Sequence, residues 1–200
     1  PNPVSFTGGE VGVLSVNNVT VTEAGTLKNI TATSDSHFGA SNDFTVNAGG
    51  LGNFLIEKAA GDSIGPQIAG TPFGIKITAR DQFNNVIPDF SGTVALSTNA
   101  GTISPNSVTF SGSASVSQSV TLTQSGTNKS ITATSDTHTG TSNTFTLNAG
   151  ALDHFTVEAE GGGEIATQTA WSSFGIRITA KDANNNTVPQ TMFPGQTGAV

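Results

Sequence analysis

Two turns in this sequence cluster side-chain oxygens in a pattern that could bind a metal ion. Asp81 is followed closely by Asn84 and Asn85, which places one carboxylate beside two amide groups. The pattern recurs later in the chain as Asp182, Asn185 and Asn186. Ca²⁺ takes roughly six to eight oxygen ligands from carboxylates, amides and backbone carbonyls. The turns are therefore candidate calcium sites, and the sequence indicates no other cofactor.

The same residues have a second interpretation that needs no metal. Each turn supplies a single carboxylate, and the spacing does not match an EF-hand loop. The carboxylate of Asp81 or Asp182 can instead accept hydrogen bonds from the backbone amides that follow it, as in an Asx-type turn. The sequence leaves both interpretations open.

Two histidines lie in a setting that superficially suggests catalysis. His37 follows Ser-Asp-Ser and His138 follows Ser-Asp-Thr, so serine, aspartate and histidine are close in sequence. A catalytic triad instead needs side chains that converge from separate elements, together with an oxyanion hole. A polar turn before a strand explains both copies better, and we expect the protein not to be an enzyme.

The chain repeats itself with a constant offset. Residues 30–49 and 131–150 are identical at 15 of 20 positions, which sets the offset at 101 residues. Self-similarity on this scale indicates an array of equivalent domains. It predicts the C-terminal half of one repeat over 1–50, a complete repeat over 51–150 and the N-terminal half of another over 151–200.

Two aromatic residues break the repeat and are candidates for contacts with a partner. Trp171 stands where the preceding copy has Gly70, and Phe38 stands where the later copy has Thr139. Tryptophan is enriched at interface hot spots. The alternative is that each ring covers the end of its own domain.

Alternation of apolar and polar residues dominates the complete repeat. Phe73, Ile75, Ile77 and Ala79 alternate with polar neighbours, and similar runs give about seven short strands per repeat. Glycine-containing pairs between the runs predict turns at Ser91–Gly92, Ser111–Gly112, Ser125–Gly126 and Thr139–Gly140. The pattern predicts an all-β fold of tandem, immunoglobulin-like antiparallel sandwiches.

Composition narrows the functional classes. The net charge is −7 with only 7 Lys and Arg residues, which argues against nucleic acid and anionic membranes as partners. No apolar run is long enough to cross a bilayer. There is no cysteine, and charged residues make up only 10% of the chain. A surface rich in Ser, Thr, Asn and Gly suits an extracellular β protein.

The residues after the long central strand resemble a known family. Residues 77–88 end a strand in Asp81, pass through an Asn-rich turn and place Pro88 before the next strand, as in bacterial immunoglobulin-like repeats of the invasin/intimin type. Residues 125–134 and 142–150 resemble that family's last two strands and its linker. The resemblance implies a non-catalytic module of long bacterial surface proteins, used in adhesin stalks, cell-surface layers or fibres.

These observations predict a structural segment of an extracellular, cell-surface array. The short junctions at 47–50 and 148–151 favour domains stacked end to end, with neighbouring copies head to tail as partners. Half repeats could be completed by strand complementation between chains, or the chain could be a piece of a longer polypeptide. The alternative function is an adhesion module for a glycan or a host or matrix protein; the sequence does not reveal the ligand of any distal adhesive domain.

Overall fold

The computed structural model describes residues 3–5, 12–189 and 191. The outer ends of the two predicted half repeats therefore lie partly outside the described residues. Among the described residues, no helix is long and apolar enough to span a membrane.

All regular elements in these ranges are β-strands, so the all-β prediction is confirmed. The N-terminal segment, residues 12–50, contains β1 Gly25–Lys28, β2 Thr31–Ser34, β3 His37–Ala40 and β4 Phe44–Val46. The central sandwich contains β5 Leu51–Lys58, β6 Gln67–Ile68, β7 Phe73–Asp81, β8 Ser91–Thr98, β9 Ile103–Ser104, β10 Ser107–Ser111, β11 Ser115–Leu122, β12 Gly126–Lys129, β13 Ile131–Ser135, β14 His138–Thr141 and β15 Phe145–Asn148. The C-terminal segment, residues 151–189, contains β16 His154–Ala159 and β17 Ile176–Lys181.

Two four-stranded antiparallel sheets form the body of the central sandwich. Their strand orders are β10-β8-β13-β14 and β5-β7-β11-β9, and a smaller sheet of order β12-β15-β6 includes one parallel pairing. Strand β7 shows why the sheets pack together, because Ile75, Ile77 and Ala79 are fully buried while Lys76 lies on the other face. This period-two burial is the pattern expected of a strand with one face against a core.

Three phenylalanines pack against one another in the core. The ring of Phe90 packs edge-on against both Phe110 and Phe54, with centroid separations of 5.1 and 5.7 Å. Phe110 is 1% exposed and Phe54 is 3% exposed. Edge-to-face aromatic pairs of this kind add about 0.5–1.5 kcal/mol beyond the area that they bury. The rings therefore join β5 and β10, which belong to different sheets.

The structure corrects part of the predicted strand map. All seven predicted strands occur, but β6, β9, β12 and β14 are additional. The predicted turns at Ser91–Gly92, Ser125–Gly126 and Thr139–Gly140 are wrong, since Ser91 and Gly92 begin β8, Gly126 begins β12, and Thr139 and Gly140 lie inside β14. In the last case the chain reverses earlier, at Asp136, whose φ is +50°. A glycine is needed at position 140, inside β14, because the backbone of Phe54 lies close to it.

The two flanking segments adopt the backbone of the equivalent parts of the central sandwich. The left-handed φ of +50° at Asp136 is matched by +50° at Asp35, and that of +67° at Asn84 by +63° at Asn185. Their apolar faces, however, are open. In the central sandwich the paired residues Ile56 and Ile77 are 2% and 0% exposed, whereas the equivalent pair Val157 and Ile178 is 53% and 49% exposed.

Candidate functional site at the repeat junctions

The first candidate metal turn is an Asx-type turn at the end of β7. One carboxylate oxygen of Asp81, Oδ1, accepts the backbone amides of Phe83 and Asn85, both at 2.9 Å. The backbone amide of Asp81 in turn donates to the Asn85 carbonyl at 2.9 Å. This local network explains why an aspartate ends the strand.

The rest of the turn binds the preceding part of the chain. The other carboxylate oxygen of Asp81, Oδ2, accepts the Gly49 amide at 2.9 Å and the Asn85 side-chain amide at 2.8 Å. Asn85 Oδ1 accepts the Ala24 amide at 2.9 Å, and Asn85 Nδ2 donates to the Thr22 carbonyl at 2.7 Å. The turn therefore connects the central sandwich to the linker and to a loop of the N-terminal segment.

The same arrangement is built again at the second junction. Asp182 Oδ2 accepts the Gly150 amide at 2.7 Å and the Asn186 side-chain amide at 2.9 Å. Asn186 Oδ1 accepts the Ser125 amide at 2.9 Å, and Asn186 Nδ2 donates to the Thr123 carbonyl at 2.8 Å. Each partner lies 101 residues after its counterpart at the first junction.

Hydrogen bonding favours the ionised form of both carboxyl groups. The Asn85 side chain lowers the pKa of Asp81 to about 2 against opposing desolvation, with further contributions from the amides of Gly49, Asn85 and Phe83. Burial acts to raise the pKa of Asp182, but hydrogen bonds from Asn186, Gly150 and Asn184 outweigh it, so this pKa is also lowered. Both carboxylates are buried, with exposures of 2% and 1%. A buried charge is tolerated when several donors surround it.

This geometry favours the turn over the metal site. Both oxygens of Asp81 and both oxygens of Asp182 already face N–H donors, which Ca²⁺ would have to displace. The third residue of each predicted set donates its backbone amide to the carbonyl of the aspartate, at 3.0 Å for Asn84 and 2.9 Å for Asn185. Both side chains are exposed, and Asn84 Oδ1 accepts the Asn53 side-chain amide at 3.2 Å. Calcium binding at the two turns stays a prediction.

Sequence reasoning did not identify the other half of each junction. Gly49 and Gly150 offer backbone amides to the carboxylates, and the loops at Thr22 and Thr123 offer backbone carbonyls. Backbone groups leave little trace in a sequence. The signal that was present is the recurrence of glycine in both linkers at a fixed distance from the aspartate.

A second set of contacts joins the front and back halves of the central sandwich. The Asn143 side chain pairs with both backbone groups of Ile64, accepting its amide at 2.8 Å and donating to its carbonyl at 2.9 Å. Gly140 lies so close to the Phe54 backbone that a Cβ at position 140 would overlap the Phe54 carbonyl. The missing side chain at Gly140 therefore allows strands β14 and β5 to approach each other.

The N-terminal segment contains copies of Gly140 and Asn143, and in the described residues these copies lack the contacts made with Phe54 and Ile64. Gly39, the copy of Gly140, has open space where a Cβ would be added. Asn42, the copy of Asn143, keeps its short-range bond to the Asp43 carbonyl at 2.9 Å. In the C-terminal segment, the copy of Ile64 is Ile165, which is 40% exposed, against 2% for Ile64. The open positions in the two flanking segments thus correspond to the two sides of this contact in the central sandwich.

The two candidate contact aromatics are both exposed. Phe38 is 82% exposed on β3, and Trp171 is fully exposed in a turn. Trp171 has a φ of +69°, matching the +76° of Gly70 in the other copy. A left-handed conformation is costly for a bulky side chain. Neither ring covers the end of a sandwich here, and a role in partner contacts stays a prediction.

The histidines flank hairpin turns and are not brought together. His37 pairs in register with Ser34 across the turn between β2 and β3, and His138 pairs with Ser135 across the turn between β13 and β14. This position agrees with the polar-turn interpretation of both copies.

Comparisons with known proteins identify structural neighbours only. No protein-family model matches the chain, and no curated protein matches it. A solved structure of surface layer protein SbsC, domains 1-6, is similar at 18% identity and a TM-score of 0.35, over 82% of this chain and 20% of that one. SbsC domains 5-6 are similar at 21% identity and a TM-score of 0.34, over 70% of this chain and 66% of that one. The chain therefore spans about a fifth of the length of the first of these neighbours.

Proposed function

We propose that the chain is a non-catalytic, structural segment of an extracellular bacterial repeat protein. Its repeats, with boundaries near 1–50, 51–150 and 151–200, would be immunoglobulin-like modules of the invasin/intimin type, arranged head to tail in a cell-surface stalk, fibre or filament. The observation that carries this proposal is the junction itself. The residues that could have done chemistry, Asp81 with Asn85 and Asp182 with Asn186, bind the preceding repeat in both copies.

The proposal extends to how the half repeats are completed. The open apolar face at Val157 and Ile178 corresponds to a face that the central sandwich covers with its own back half. The N-terminal segment has the sequence and backbone of such a back half, including Gly39 and Asn42 at the positions of Gly140 and Asn143. We expect the back half of one copy to complete the front half of the next, which generates an open, head-to-tail polymer.

The assembly can be tested on the 200-residue chain by light scattering and electron microscopy. The wild-type chain should form species well above 20.2 kDa that lengthen with concentration. Gly39→Ala should prevent this growth, because its new Cβ would meet the incoming backbone as a Cβ at Gly140 would meet Phe54. Gly65→Ala is the matched control, since Gly65 also has open space around it and the next copy has Ala166 there.

Two results would contradict strand complementation. One is a wild-type chain that stays at 20.2 kDa at all concentrations, and the other is a Gly39→Ala chain that assembles like the control. A source protein with a polypeptide mass far above 20.2 kDa would instead support completion of each half by the adjoining residues of one continuous chain. The tandem array is common to both arrangements.

The adhesion alternative has one specific observation in its favour. Trp171 combines full exposure with a left-handed backbone that costs a bulky residue stability, and such strain is often found at functional sites. A screen of the purified chain against glycans and matrix proteins should give no binding if the role is purely structural. Binding that Trp171→Gly abolishes would support adhesion, because glycine is the residue of the other copy.

A further inference from the structure

We propose that the Asp81–Asn85 turn and its copy Asp182–Asn186 are orientation locks. Each sets the angle between one repeat and the repeat before it by hydrogen bonding to backbone groups of the linker and of one loop. This deepens the proposed array and rests on consecutive repeats being joined in one chain. It does not require that separate chains assemble.

The number and direction of the contacts make each turn suited to this task. At the first junction, Gly49 lies in the linker, while Thr22 and Ala24 lie in a loop of the preceding segment. Three bonds to two separated sites restrain rotation and tilt, whereas a linker alone would leave both free. The turn itself is held by the bonds from Phe83 and Asn85 to Asp81 Oδ1. The lock is therefore rigid on the side of its own repeat.

The contacts also define what the lock recognises. Asn85 and Asn186 bind the same backbone groups, although the loop reads Thr22-Glu23-Ala24 at one junction and Thr123-Gln124-Ser125 at the other. Asparagine can bind a carbonyl and an amide at once because its side chain both donates and accepts. The partner of each lock is therefore any preceding repeat that presents this loop backbone, whatever side chains the loop carries.

The absence of cysteine from the sequence allows a direct measurement of orientation. Spin labels on Thr33→Cys and Thr109→Cys, at exposed positions of β2 and β10, report the distance across the first junction. Pulsed electron–electron double resonance on dilute chains should give one narrow distance distribution for the parent chain, which carries the two labels and no other change. Asn85→Ala should at least double its width, because the loop contacts are lost while the backbone bonds of the turn remain.

Matched variants separate the lock from general destabilisation. Asn186→Ala makes the same change at the second junction and should leave the Thr33–Thr109 distance distribution unchanged. Gln82→Ala, at an exposed position of the Asp81–Asn85 turn, should also leave it unchanged. The double variant Glu23→Gln with Ala24→Ser gives the first loop the sequence of the second and should also have no effect. An amide fingerprint spectrum checks that the central sandwich of Asn85→Ala remains folded.

Three outcomes would overturn the proposal. They are a broad distribution in the parent chain, an unchanged distribution in Asn85→Ala, and a distribution that broadens equally in Asn186→Ala. The measurement uses single chains below the concentration of assembly, so a failed lock is distinguishable from a failed polymer. A chain that assembles normally with a broad parent distribution would retain the array and lose the lock.

Discussion

The side-chain oxygen of Asn186 accepts the backbone amide of Ser125, 61 residues earlier in the chain, at 2.9 Å. Asn85 has the same relationship to Ala24, at the same separation and the same distance. The two bonds are copies of one another in the repeat, yet Ala24 and Ser125 have different side chains. The recurring element is thus the backbone contact between successive repeats.

Acid should weaken the first junction. The pKa of Asp81 is lowered to about 2, chiefly by the side-chain hydrogen bond from Asn85, against an ordinary value of 3.8. A folded-state pKa below the unfolded one means that the contribution of this group to stability is complete above the unfolded pKa and is lost as the pH falls towards the folded one. The free energy of unfolding should therefore fall between about pH 4 and pH 2.

The near-isosteric variant Asp81→Asn removes the group that titrates, and its side-chain NH2 replaces an oxygen that accepts N–H donors, so the variant should be less stable than the wild type at neutral pH. The difference in unfolding free energy between wild type and Asp81→Asn, measured by denaturant titration, should be constant above about pH 5 and shrink below about pH 4. A difference that does not vary with pH would show that the ionised carboxylate makes no special contribution to the junction.

Calcium should have little effect on stability. The four carboxylate oxygens of Asp81 and Asp182 are occupied by N–H donors, so an ion would gain these ligands only by breaking bonds of the turns or of the junctions. Thermal unfolding with millimolar CaCl₂ and with EDTA should give the same midpoint. A calcium-dependent rise that Asp81→Ala removes would support the metal interpretation of the turns, because a ligand that binds only the folded state stabilises it.

Equivalent isoleucines should respond differently to the same substitution. Ile77→Ala removes a fully buried side chain and should cost about 2–5 kcal/mol of unfolding free energy. Ile178→Ala changes a side chain that is 49% exposed and should cost about 0.5 kcal/mol or less in the dispersed chain. In the assembled polymer, Ile178→Ala should instead raise the concentration needed for assembly. Equal costs in the dispersed chain would show that the C-terminal face is already covered.

The sequence predicts the fold well because its signals are local. Alternation in β7 identifies the buried face directly, and the repeat then predicts the strand β17, although the equivalent face of β17 is open. Gly140 shows where local reasoning fails, since a glycine beside a threonine resembles a turn until the nearby Phe54 backbone is known. The junction partners of Asn85 could not be identified from the sequence for the same reason. They lie 61 and 63 residues away and contribute only backbone atoms, which every residue type provides.

Hydrogen exchange at the Ser125 amide measures whether the Asp–Asn turns serve the junctions between repeats, because the acceptor of that amide is the Asn186 side chain. We expect a protected Ser125 amide in the wild-type chain and exchange about fivefold faster in Asn186→Ala, as for a bond worth about 1 kcal/mol. The exchange of the Leu96 amide, which donates to Asn106 within the central sandwich, should be unchanged. A Ser125 amide that is unprotected in the wild type, or whose exchange is the same in Asn186→Ala, would contradict this role of the turns.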